Sequence, residues 1–453
     1  MTNKLSKDSL ISFFKKGCKE KKNWKVGTEH EKFGFNRSNL KPITYEDILK
    51  IFNGLSEKYF WKKKIENNFL VALEKDGSSI TLEPGGQIEL SGSPKDSLFE
   101  TCKEVNEHQR ELDDICKNLQ IDFMGMGVLP KWKLKDIPLM PKDRYKIMKS
   151  YMPKVGSNGI DMMQRTATIQ ANFDYSSEED MIKKFRVGLF LQPAIIGLYA
   201  NSPFVDGRLT NFLSYRSFIW TKTDSDRCGI LPFVFDDGFS FEMYVDYLLK
   251  VPMYFVIRGD KYLKITNYNF NDFLLGKIKK FEKVTPIYSD WINHISTVFP
   301  EVRLKSYIEL RGVDGGPWSR VCALPAFWTG ILYDETILNE VWEKIKKWNY
   351  KDVKNFYSNV SKLGLKSLTP DGKPINKFLS DLLKLSSKGL KNRKIFVNGK
   401  NESVFLEPLE RILESGLSPA ETWKNLFLSE WHENIDNIYK ANYFKILKKN
   451  EKI

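Results

Sequence analysis

Histidine and cysteine are scarce in this chain of 453 residues, which has four of the first and five of the second. Cys18, Cys102, Cys116, Cys228 and Cys322 show no CxxC spacing, and their odd number argues against a secreted disulfide framework. His30, His108, His294 and His432 are too dispersed for a zinc site. The longest apolar run, residues 187–200, contains Gln192 and Pro193 and falls short of the roughly 20 residues of a membrane span, so a buried helix is expected there. No Pro/Gly/Ser-rich linker, low-complexity tract or internal repeat divides the chain. The expectation is one catalytic body over residues 1–335, with a mainly helical part over 336–453 packed on it as one structural unit. The opening SKDSLISFFKK reads as an amphipathic helix capped by Ser6 and not as a secretory signal. Together with the unpaired thiols it points to a cytoplasmic location.

What is present is core-forming material: 42% of residues are hydrophobic, 13% are aromatic, and disorder is therefore not expected. The net charge of +14 raises the alternative of a basic RNA-binding protein. Its lysines, however, lie in scattered blocks such as KKGCKEKKNWK and KILKKNEK, without the arginine and aromatic interleaving of a nucleic-acid module. A solvated surface is the expectation, with neither nucleic acid nor membrane as partner. Helices are signalled by their caps. SPKDSLFETCKEVNEHQRELDDICKNL is read as starting with Ser93 at N-cap and Pro94 at N1, its buried stripe carrying Cys102 and Cys116, and SPAETWKNLF has the capping-box pair Ser418 and Glu421.

Four stretches carry strand periodicity with one chemically rich face. In ATIQANFDY that face holds Thr168, Gln170, Asn172 and Asp174. QIELSG contributes Gln87, Glu89 and Ser91, SYIELRG contributes Tyr307, Glu309 and Arg311, and GTEHEKFGF contributes Glu29 and Glu31. Acids concentrated on one sheet repel unless cations lie between them. Glu29, Glu31, Glu83, Glu89 and Glu309 form an oxygen-rich, histidine-poor set that suits hard Mg²⁺, with Mn²⁺ as its substitute. The glycine-rich turns LEPGGQIELSG, GMGVLP and ELRGVDGGPW match neither GxxxxGK[ST] nor a strand-associated GxGxxG, so any nucleotide must be held by metals and arginines. Paired acids also suit a glycosidase, but that chemistry gives no reason for arginines on the same face.

Taken together, GTEHEKFGF, LEPGGQIELSGSP, PKDRYKIMKSYMPKVGSNGIDMMQRTATIQANFDY, ANSPF with LSYRSFIW, LPFVFDDGFSFE and FPEVRLKSYIELRGVDGGPWSRVCALPAFW resemble the plant and proteobacterial glutamate–cysteine ligases. The resemblance runs in order from about residue 24 to residue 335. It implies an α+β, glutamine-synthetase-like fold, a curved antiparallel sheet with helices packed outside. It implies ATP-dependent phosphorylation of the glutamate γ-carboxylate and attack by the cysteine amine, the first step of glutathione biosynthesis, in a monomer or weak homodimer. Glutamate, cysteine and ATP are then the substrates, Glu29, Glu31, Glu83, Glu89 and Glu309 the Mg²⁺ ligands, and Glu309 with Arg311 the catalytic pair, Arg311 meeting the transferred phosphoryl group. Arg144 and Arg216 match arginines holding the glutamate α-carboxylate; Met163, Arg165, Thr168 and Gln170 are expected to line the site from one strand. Plant members carry regulatory disulfides. Cys102 and Cys322 resemble one such pair, while KYLKITNYNFNDFLLGKIKKF has no cysteine for a second.

Overall fold

The computed structural model describes residues 5–441, so the lysine block KILKKNEK lies outside the described residues. Nine strands form one sheet: β1 (Val26–Asn36), β2 (Lys62–Glu66), β3 (Phe69–Lys75), β4 (Ser78–Leu82), β5 (Ile88–Ser91), β6 (Ile121–Met124), β7 (Thr168–Phe173), β8 (Val302–Leu304) and β9 (Ile308–Asp314). Their order is β8-β9-β7-β1-β5-β4-β3-β2, with β6 pairing the far half of β1, and every pairing is antiparallel. The four strands picked out by their periodicity are adjacent here: β9, β7, β1 and β5. The exposed edge strand β2 carries Lys62, Lys63 and Lys64, charges that discourage edge-to-edge pairing.

Eight helices position the site: α1 (Leu98–Leu119), α2 (Asp143–Tyr151), α3 (Gly159–Arg165), α4 (Glu178–Tyr199), α5 (Tyr215–Thr221), α6 (Trp318–Leu332), α7 (Tyr350–Leu363) and α8 (Ile375–Asn392). Helix α4, which contains the long apolar run, is buried along most of its length and packs on β9, while α6 packs across β7 and β1. The apolar face of the sheet is thereby covered. Helices α7 and α8 pack in turn on α4 and α6, and the main core cluster runs from Leu5 to Leu409, with a second one joining Phe33 and Met124 to Phe427 and Tyr439. Among the described residues no helix is long and apolar enough to cross a membrane.

Ser6 and Ser418 cap as expected, each in a capping box. Helix α1, however, starts four residues later than Ser93 suggests. Its N-cap is Ser97, whose side chain and that of Glu100 satisfy each other's backbone N–H groups. Ser93 bonds instead to Ser78 and Glu104, and Lys95 bridges to Val26, which holds that stretch extended. Cys102 and Cys116 are buried on α1, and all five cysteines are free. The Cys102 thiol is in hydrogen-bond contact with Cys322 on α6; burial and that neighbour raise it well above the ordinary range.

Candidate active site

Register decides which acids meet. Glu31 on β1 lies directly opposite Glu89 on β5, Glu29 lies opposite Gln170 on β7, and Glu309 on β9 opposite Asn172. Glu83 reaches this face from the turn into β5, where Gly86 adopts φ +85°, a conformation that strains any residue with a Cβ. Thr81 Oγ1 then donates toward Glu83 at 3.2 Å and Glu89 at 2.9 Å. Like charges placed opposite each other destabilise a sheet. Burial, then Glu309 and Glu89, push the Glu29 carboxyl up to about 7; burial, then Glu89 and Glu83, raise Glu31 well above the carboxylate range. Burial and then Glu83 push Glu89 up to about 7.

Glu309 behaves oppositely. It is 0% exposed, yet Arg303 donates to its Oε2 at 2.6 Å, Arg311 to the same oxygen at 2.6 Å, and Lys305 to Oε1 at 2.9 Å. Burial alone would raise it, but the three cations outweigh burial and hold it well below the carboxylate range. Both oxygens of Glu309 are thus engaged by cations, and the acid anchors Arg311. Arg303 and Lys305 lie in VRLKSYIELR, but it is the β8–β9 hairpin that sets Arg303 directly opposite Glu309, with Lys305 in the turn between the strands.

A cleft enclosing about 100 Å³ brings together Arg144, Arg216 and Arg311 with Glu31, Glu83, Met163 and Thr168, closed by Trp220 and Phe299. Arg144 comes from α2, and its buried Nε has no hydrogen-bond partner among the described residues. Arg216, on the short helix α5, donates from Nη1 to the Gly312 carbonyl at 2.9 Å and from Nη2 to the Arg311 carbonyl at 3.1 Å. Its Nε is likewise unpartnered, and its guanidinium lies 5.6 Å from the Trp220 ring centre. Both carbonyls belong to a bulge: between Leu310 and Val313, β9 carries one residue more than β7 opposite it. Thr168 fastens the bulge by donating its hydroxyl to the Val313 and Arg311 carbonyls at 2.7 and 3.1 Å, and its N–H bonds Glu31 at 3.0 Å.

Two expected lining residues lie elsewhere. MQRTATIQ is not one strand: Met163 and Arg165 belong to α3, and β7 begins only at Thr168. Met163 faces the cleft, but Arg165 points to Asp206 at 3.0 Å and Asp161 at 3.1 Å, because the helical turn sends it the other way. Gln170 is not on the cleft wall; its Oε1 accepts from Arg311 Nη1 at 2.5 Å and orients that side chain. Trp220, Phe299 and Tyr145, which also line the cleft, have no periodicity or charge to mark them, since they come from the separate helices α5 and α2 and the two-residue strand Phe299–Pro300. A larger cavity of about 510 Å³ lies behind Trp220, lined by Tyr247, Lys250, Glu301, Lys354 and Tyr357 among others.

Cations and acids on the polar face of an antiparallel sheet are the arrangement that the motifs implied. The model of glutamate–cysteine ligase family 2 matches residues 25–441. The chain belongs to this family. It is 48% identical over 440 residues to "Glutamate--cysteine ligase B, chloroplastic" of Oryza sativa subsp. japonica, covering 97% of this chain and 88% of that protein. With the chloroplastic ligase of Medicago truncatula identity is 49% over 438 residues, covering 97% and 85%. With that of Arabidopsis thaliana it is 47% over 439 residues, covering 97% and 83%. The crystal structure of the Francisella tularensis glutamate–cysteine ligase in complex with AMP shares the fold, with a TM-score of 0.53 at 14% identity over 94% of this chain and 90% of that one. The glutamate–cysteine ligase relatives also run against the cytoplasmic expectation, since those proteins are named chloroplastic. Unpaired thiols indicate reducing surroundings and do not distinguish one reducing compartment from another.

Proposed function

We propose that this chain is a ligase joining the γ-carboxylate of glutamate to the amine of cysteine, at the cost of ATP and through a γ-glutamyl phosphate, the first step of glutathione biosynthesis. The observation that carries the reading is the convergence of Arg144, Arg216 and Arg311 with Glu31 and Glu83 in one cleft of a family member. Arginine presents paired donors that match carboxylate and phosphate. Arg144 and Arg216, each with an unpartnered Nε, hold the glutamate α-carboxylate, and Met163 and Thr168 line that site. Arg311, fixed by Glu309 and Gln170, faces the transferring phosphoryl group, where charge spreads over three oxygens.

The acids at Glu29, Glu31, Glu83 and Glu89 match a hard divalent cation in donor chemistry, being all oxygen, with three of the four raised by burial and one another, although among the described residues no three acids stand close enough together to hold a metal ion as placed. Bound there, Mg²⁺ would neutralise nucleotide phosphates brought against these carboxylates. The chain's own groups supply the rest, with the sheet holding Arg311 and Arg216 in place before substrate arrives. No observation favours the RNA-binding alternative.

The test is ATP turnover by the purified chain with glutamate, with and without cysteine. Release of ADP and formation of γ-glutamylcysteine only when all three substrates and Mg²⁺ are present supports the reading; turnover indifferent to glutamate ends it.

A further inference from the structure

We propose that Tyr357, on α7 of the carboxy-terminal helices, is a positioning residue for Arg216 and thereby for glutamate affinity, acting through Glu301 and the β9 bulge; the inference rests on Arg216 holding the glutamate α-carboxylate. Among the described residues the Arg216 side chain hydrogen-bonds only to main chain, the carbonyls of Gly312 and Arg311. Its place in the cleft therefore depends on where those two peptides sit.

Thr168 holds the bulge from the β7 side, and Glu301 holds it from the other. The Glu301 carbonyl accepts the Arg311 N–H at 3.1 Å. Its carboxylate is pressed against Gly312, so closely that a Cβ there would meet Oε2 at 2.1 Å. Glu301 is 5% exposed, and its Oε2 has no hydrogen-bond partner among the described residues. The bond that its carboxylate does receive comes from Tyr357 Oη, at 2.8 Å to Oε1. The same hydroxyl lies 3.3 Å from the Ser217 carbonyl, on the helix that carries Arg216. One hydroxyl thus ties together the acid that braces the bulge and the helix that presents the clamp.

The consequence of removing it follows from charge. A buried carboxylate stripped of its hydrogen bond is costly and turns to the nearest cation. Arg216 and Arg311 are the cations whose fields Glu301 feels, and Arg216 has a free Nε–H. Arg311 is already held by Glu309 and Gln170. Glu301 therefore turns toward Arg216, withdraws its charge from the cleft and weakens the hold on glutamate, leaving phosphoryl transfer largely intact.

Steady-state kinetics of the full chain, with glutamate and ATP varied separately, test this. Tyr357→Phe is expected to raise the glutamate KM by about tenfold, with kcat and the ATP KM within about twofold. Adding Glu301→Gln to that variant removes the stranded charge and is expected to return the glutamate KM to within about threefold of the parent, a coupling that simple packing damage does not give. Additive losses, or an unchanged glutamate KM in Tyr357→Phe, overturn the proposal. Should Tyr357→Phe not fold, Glu301→Ala takes its place. It removes the brace against Gly312 and is expected to raise the glutamate KM to a similar extent, and an unchanged value overturns the proposal equally. Arg216→Ala is measured alongside. If it leaves the glutamate KM unchanged, the clamp reading and this inference fall together; if it raises KM while Tyr357→Phe does not, the inference falls alone.

Discussion

Arg311 reaches the cleft because Glu309 holds it: Nη1 donates to Oε2 at 2.6 Å, and Arg303 meets the same oxygen from the other side. Removing the acid's charge leaves the buried Arg303, the partly buried Arg311 and Lys305 without their anion. Glu309→Gln is therefore expected to lose kcat and also stability, by about 3 kcal/mol, the scale on which a broken buried ion pair destabilises. Thermal or urea unfolding alongside turnover decides this; an unchanged melting temperature contradicts the anchor role.

Glu31→Gln should separate the two effects. Glu31 faces Glu89 across the strands and is raised by burial and by its acidic neighbours, so its neutral isostere relieves repulsion in the metal-free protein. The expected outcome is equal or higher thermal stability without Mg²⁺, together with a fall in turnover of about a thousandfold, or ~4 kcal/mol of lost transition-state stabilisation. Near-normal activity at saturating Mg²⁺ counts against a metal at this acid.

The arginines should divide KM from kcat. Arg216→Ala is expected to raise the glutamate KM strongly with a smaller change in kcat, since a clamp on a spectator carboxylate binds ground and transition states alike. Arg216→Lys should recover part of the loss, lacking the paired donors. Arg311→Ala should lower kcat more than it raises either KM, because its partner charge develops during transfer. Initial rates with glutamate and ATP varied in turn check both.

Acid sensitivity is expected from His294, at the end of the helix Tyr288–Ile295 and away from the cleft. Burial lowers it to about 4, although its Nε2 lies 2.8 Å from the Leu248 carbonyl. A folded-state value below the unfolded one means that the unfolded chain binds the extra proton first. The stability this group contributes is full above about 6.5 and is lost as pH falls through 4. A shift from 6.5 to about 4, at 1.36 kcal/mol per unit, is worth roughly 3 kcal/mol. Melting temperatures measured from pH 4 to 7 should fall less steeply for His294→Gln, which keeps a donor for Leu248 but does not titrate; identical slopes exclude His294 as the source.

The sequence by itself determined the face. Period-two alternation placed Glu29 and Glu31, Gln170, Glu89, and Glu309 with Arg311 on polar sides of strands, because a pleated backbone allows no other arrangement of residues two apart. Ordered motifs then named the family. Tertiary structure decided what alternation cannot encode: which strands are neighbours, which acids stand opposite acids and which opposite cations. Glu31 and Glu309 look alike in sequence, yet register sets one against Glu89 and the other beneath Arg303, Lys305 and Arg311. Helix α3 interrupts MQRTATIQ and turns Arg165 away, an outcome of packing that short-range pattern does not carry. Tyr357 lies 141 residues from Arg216 in the chain, and only the packing of α7 against α4 and α5 brings its hydroxyl to Glu301. Local periodicity fixes the direction of a side chain; the charge it meets there is set by chain segments that local sequence does not specify.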